Sequence, residues 1–116
     1  MKIYVIVFCF ILFDIITGFV KGLAKEGINS TALRVGLFHK LGEILALAGA
    51  GGLTYAVDYI DLGINVPLLQ SVAVYICVME LVSIVENICA VNPQLTKFFK
   101  PYLEKLKGGV DDAKGN

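Results

Sequence analysis

Three stretches of this chain, residues 3–20, 41–60 and 66–91, are apolar and long enough to cross a bilayer. Each still carries a carboxylate: Asp14 in the first, Glu43 in the second, Glu80 and Glu86 in the third. A spanning helix needs about 20 mostly apolar residues, and in a chain of 116 residues three such runs leave room for little else. Ionisable groups inside such runs are costly, so they turn toward a bundle interior or water rather than lipid. The pattern predicts an all-α integral membrane protein with three transmembrane helices and polar surface held within the membrane.

Composition separates this reading from a soluble helical bundle. Only 17% of residues are charged and mean hydropathy is +0.77, against about 25% charged residues in an ordinary soluble domain. Helices of a soluble bundle each keep a broad charged face, whereas residues 44–57 carry no charge on any face.

The net charge of zero hides an asymmetry along the chain. The connection after the first run carries Lys21, Lys25, Arg34 and Lys40 against Glu26. The connection before the third run carries Asp58 and Asp61 and no base, and the tail carries Lys97, Lys100, Lys105, Lys107 and Lys114. Basic residues mark the cytoplasmic side. The expected topology therefore has the N-terminus outside and the C-terminus in the cytoplasm, with Lys2 the one base against it. Lys2 and the apolar run after it also fit the start of a signal peptide, but no A-x-A-like site follows, and Asp14 and Lys21 stand where such a site should be small and neutral. The segment is read as retained.

Local signals place the helix ends. The first helix should run to about Glu26, with Gly27 forming a left-handed cap. Asn29, Ser30 and Thr31 offer capping oxygens for the second. Pro67 is expected in the first turn of the third, and Asn92-Pro93 to end it and cap the next segment. After Pro93, Leu95, Phe98, Phe99, Tyr102, Leu103 and Leu106 recur at helical spacing, with Lys97, Lys100, Glu104 and Lys105 between them and Lys107 following. This is a basic amphipathic helix over 93–107, interrupted or restarted at Pro101, suited to the inner membrane surface. One membrane domain over residues 1–107 and a disordered tail over 108–116 are expected.

Two polar stripes carry the candidate site. Asp14, Thr17, Gly18 and Lys21 share one face of the first helix, and Glu80, Ser83 and Asn87 share one face of the third. Glu86 is displaced around that helix, within reach of Lys21 or Lys40. The stripes could satisfy one another, pair with Glu43 or Glu86, or line water. On the second helix, Gly42, Ala46 and Ala50 repeat at four, as do Ala48, Gly52 and Ala56. Such small-residue faces allow close backbone approach in lipid, either within one chain or between copies.

Other chemistries lack support. Cys9, Cys77 and Cys89 form no CxxC pair, His39 is the one histidine, and its spacing to Glu43 is a weak basis for a metal or relay. Gly49, Gly51 and Gly52 precede no Lys-Ser/Thr, so no phosphate-binding loop is formed. No nucleophile, base and orienting group occur together in a soluble segment. Neither catalytic or metal residues, nor a cofactor, nor a nucleic-acid partner are expected.

The run Asp14-Ile-Ile-Thr17-Gly18-Phe-Val-Lys21-Gly22, followed by Lys25, Asn29-Ser30, Gly36 and Lys40, resembles the start of the phage-lysis and toxin-secretion holins. The stretch Glu80-Leu-Val-Ser83-Ile-Val-Glu86-Asn87, then Pro93 and the Lys-rich tail, is similar to that family's C-terminal half. The likeness covers roughly residues 14–107, with Gly22 where alanine is the commoner residue. It implies a small multi-pass protein of the bacterial cytoplasmic membrane that self-associates in the bilayer and opens large non-specific lesions, releasing a peptidoglycan hydrolase or a large toxin. The residues by themselves also admit a small ion-coupled transporter or exporter subunit, with Glu80 or Asp14 binding the proton, or a membrane scaffold anchored by the basic tail.

Overall fold

A computed structural model describes residues 2–63, 65 and 67–114, with the side chains of Glu26 and of 109–114 outside that description. Among the described residues there are four α-helices and no strand: α1 (Lys2–Lys21), α2 (Ser30–Ala56), α3 (Leu68–Val91) and α4 (Thr96–Lys114). Two helical segments, Lys2–Lys25 and Leu68–Val91, are long and apolar enough to cross a membrane.

The second run differs from expectation. Its helix stops at Ala56 rather than Ile60, and the chain turns through Val57 to Tyr59. The helix reaches membrane-spanning length only by including its early turns, which carry Arg34, His39, Lys40 and Glu43 and dilute its hydropathy. At the third run, α3 begins at Leu68 with Pro67 as its N-cap rather than in its first turn, and the expected start at Val66 lies outside the described residues.

The helix ends follow from local chemistry. A π-helical turn, Gly22–Glu26, extends α1. Gly27 then takes φ 74° and ψ 172°, a positive-φ extended conformation open essentially to glycine rather than the left-handed cap expected. The Asn29 side chain caps α2 by accepting from the backbone of Thr31 at 2.9 Å and Ala32 at 3.2 Å, which satisfies two orphan donors. Asn92 ends α3 and accepts from the Gln94 backbone N–H at 3.3 Å, opening a 3-10 turn, Pro93–Leu95.

The C-terminal segment is more continuous than expected. Pro101 lies inside α4 without ending it; proline in a helix interior removes one hydrogen bond and bends the helix, and here the helix continues on both sides. The tail expected to be disordered from Gly108 is helical to Lys114, and residues 115 and 116 lie outside the described residues. α4 turns back against α3, leaving an apolar groove of about 820 Å³ between Val74, Val78, Leu81 and Val85 on one side and Phe99 and Leu106 on the other.

α1 and α2 both pack along α3. Buried Val7 and Ile11 of α1 meet Leu47 of α2 and Ala73 and Ile76 of α3. One to two turns farther along α1, Asp14 meets Lys40, which also meets Glu80. Residue numbers therefore rise together on α1 and α3 and fall on α2: the three helices run up, down and up. The outward faces are apolar, with Val5, Leu12, Phe13, Ile16, Leu45 and Val74 exposed, as lipid-facing helices require.

Candidate functional site: a polar layer inside the bundle

The inward stripe of α1 is set by its spacing. Val7, Ile11 and Asp14 are its buried residues, spaced four and three apart, so Asp14 points where the apolar core continues. On α3 the same geometry buries Ala73, Ile76, Glu80 and Asn87. On α2 it buries Glu43, Leu47 and Ala50, with Lys40 one turn earlier.

These side chains close on one another. Lys40 donates to Asp14 Oδ2 at 2.6 Å and to Glu80 Oε2 at 2.7 Å. The Asn87 amide donates to Asp14 Oδ1 at 3.1 Å and to Thr17 Oγ1 at 3.1 Å. Thr17 in turn donates to the Asp14 backbone carbonyl at 3.1 Å, and Ser83 lines the same cavity as Asp14. Asp14, Glu80 and Asn87 are all more than nine-tenths buried. One ammonium thus ties three helices through two carboxylates. Charge-assisted hydrogen bonds of this length are the strong class, and a buried ion pair is tolerable only when its remaining lone pairs and protons are also met.

Glu43 adds a third carboxyl. It is nine-tenths buried beside Glu80, and among the described residues its Oε1 has no hydrogen-bond partner. It stands between Lys40 and Leu47 on the same face of α2, at the border of the polar layer and the apolar core.

The remaining expected residues are distributed differently. Lys21 lies at the rim of a cavity beneath the polar layer, so Lys40 is the base that binds Asp14. Glu86 is half exposed and approaches Lys107 of α4 at 3.8 Å, rather than Lys21 or Lys40. His39 is exposed, and no group of residues able to hold a metal ion occurs among the described residues. Lys97, Lys100, Lys105 and Lys107 are exposed on α4.

The small residues of α2 divide between two roles. Ala50 is buried within the chain and Ala56 is half-buried, while Gly42, Ala46, Ala48 and Gly52 are exposed. A Cβ added at Gly42, Gly49 or Gly52 would meet nothing within 4 Å. The close internal approach is made instead at Gly51, where a Cβ would collide with the Tyr4 hydroxyl. The stripes at four-residue spacing do not include Gly51. Lys40 and Glu43 had a sequence signal, because with Leu47 and Ala50 they continue one stripe of α2.

The family model described as the bacteriophage holin family matches residues 1–108. No curated protein and no solved structure matches the chain.

Proposed function

Because the chain belongs to the bacteriophage holin family, whose members are non-enzymatic membrane proteins that oligomerise in the bilayer, we propose that it accumulates in the bacterial cytoplasmic membrane and opens large non-specific lesions there. Those lesions release a cell-wall hydrolase or a large toxin. In this reading α1, α2 and α3 all span, the N-terminus is outside, and the C-terminus with α4 is cytoplasmic.

The observation that carries the reading is the polar layer of Asp14, Thr17, Lys40, Glu80 and Asn87, held inside a bundle whose outward helix faces are apolar. As a single chain, such a bundle offers lipid little that is polar. If helices separate and regroup between copies, the same side chains can face water and line an opening, since intramembrane charges are tolerated where they meet each other or an aqueous cavity. The exposed pairs Gly42 with Ala46 and Ala48 with Gly52 supply two small-residue faces on which copies can approach closely, and the lysines of α4 supply a contact for anionic lipid.

Regulated expression in a bacterium tests the proposal, with membrane potential and release of a cytoplasmic enzyme followed together. A holin is expected to leave growth unaffected while it accumulates, then to collapse the potential and release protein-sized contents abruptly. A steady, pH-dependent flux of a small solute with no release of protein would identify an ion-coupled transporter subunit instead.

A further inference from the structure

Along the bundle axis the interior changes character twice. At the end nearest the α2–α3 connection, Val7, Ile11, Leu47, Ala73 and Ile76 form a buried apolar layer. The polar layer around Lys40 follows. Beyond it, toward the α1–α2 connection, lies a cavity of about 340 Å³ whose floor is Asp14, Lys40, Ser83 and Asn87 and whose rim includes Gly27 and Asn29. Gly18 of α1 and Gly36 of α2 line its walls; a Cβ at Gly36 would meet nothing within 4 Å, while one at Gly18 would touch the Asn87 amide at 3.6 Å.

We propose that this cavity is a one-ended aqueous vestibule within each single chain. Water enters beside the α1–α2 connection, reaches the Lys40 ion pairs, and is stopped by the layer of Val7, Ile11, Leu47 and Ile76. The inference rests on the reading of α2 as a spanning helix.

Several observations support water rather than lipid in this space. At about 30 Å³ per molecule, the cavity has room for on the order of ten waters. Its floor has hydrogen-bonding capacity to meet them: an ammonium has three donors, of which Asp14 and Glu80 take two, and an ionised carboxylate accepts several bonds. The rim residues Gly27 and Asn29 are exposed. The layer itself offers no polar partner, and water is held only where two to four such partners surround it. Each chain is then a half-channel before it assembles, and the apolar layer is the barrier.

Cysteine accessibility tests this in full-length protein in membrane vesicles of both orientations, before any lesion forms. Cys9, Cys77 and Cys89 are replaced by alanine, and a charged, membrane-impermeant thiol reagent is applied. Gly36→Cys and Ser83→Cys are expected to react from the same side as Ser30→Cys, an exposed position next to the rim, and Leu47→Cys from neither side. Adding Gly36→Leu, which fills the cavity, is expected to abolish the reaction of Ser83→Cys and leave that of Ser30→Cys unchanged. The vestibule is refuted if Ser30→Cys reacts while Gly36→Cys and Ser83→Cys do not. Reaction of Leu47→Cys would refute the barrier. Tyr59→Cys separates this outcome from the topology: if it reacts from the same side as Ser30→Cys, α2 does not span, whatever the cavity holds.

Discussion

Lys40 Nζ lies 2.7 Å from Glu80 Oε2, joining α2 to the middle of α3 across 40 residues of sequence, and the same ammonium holds Asp14 of α1 at 2.6 Å. A single cation thereby fixes the register of three helices. Helices that slide in lipid meet no hydrophobic penalty for doing so. Moving any one of them by a turn would leave a carboxylate buried and unpaired.

Removing that cation is therefore expected to be more damaging than removing either carboxylate. Lys40→Met should cost about 3–5 kcal/mol, as when one partner of a buried pair is lost and the other stays charged. Thermal unfolding in detergent would measure this. The double variant Lys40→Met with Glu80→Leu should recover part of the loss, and a double variant no more stable than Lys40→Met would remove the pairing from the explanation.

Glu80 should matter more to lesion formation than to insertion. Glu80→Leu leaves Lys40 paired with Asp14, and on the lenient insertion scale it spares a spanning helix a central carboxylate worth about 2.5–3.5 kcal/mol. Insertion at or above the wild-type level is expected, with release of cytoplasmic enzyme delayed or abolished. Glu80→Gln keeps a hydrogen-bonding side chain and should retain more of the release. Enzyme release by Glu80→Leu on the wild-type schedule would reduce Glu80 to a structural residue.

The glycines of α2 should separate folding from association. Gly51→Ala places a Cβ against the Tyr4 hydroxyl and should destabilise the chain by about 1–3 kcal/mol, the usual cost of overpacking. Gly52→Ala, with open space at its Cβ, should leave the monomer unaffected. Gly52→Leu should reduce crosslinked oligomers in membranes with insertion unchanged. Equal crosslinking in Gly52→Leu and wild type would assign that face to lipid.

Replacing Lys97, Lys100, Lys105 and Lys107 with glutamine should weaken the hold of α4 on anionic bilayers, at about 1 kcal/mol for each lysine near the surface. Protease protection of the C-terminal segment in vesicles would report it. Protection should fall in the variant, and should also fall for wild type in zwitterionic lipid or high salt. Protection that ignores all three changes would mean that α4 is held by α3 alone.

What could be read from the chain by itself was whatever one helix decides locally. The apolar lengths of α1 and α3, the single inward stripe shared by Asp14 and Thr17, the matching stripe of Glu80 and Asn87, and the caps at Asn29 and Asn92 all depend on residues within a few positions of one another. Their geometry is that of a helix turn, so spacing specifies it. Which base would answer Asp14 was not of this kind. Lys21 shares its helix face, but Lys40 reaches it, because α2 returns antiparallel and the register between helices is set by how their surfaces pack. The same holds for Gly51 against Tyr4, for Glu86 turned outward to Lys107, and for a cavity lined by residues of α1, α2 and α3 together. Periodicity along one helix carries no information about the neighbour it will meet, and only the packed bundle supplies it.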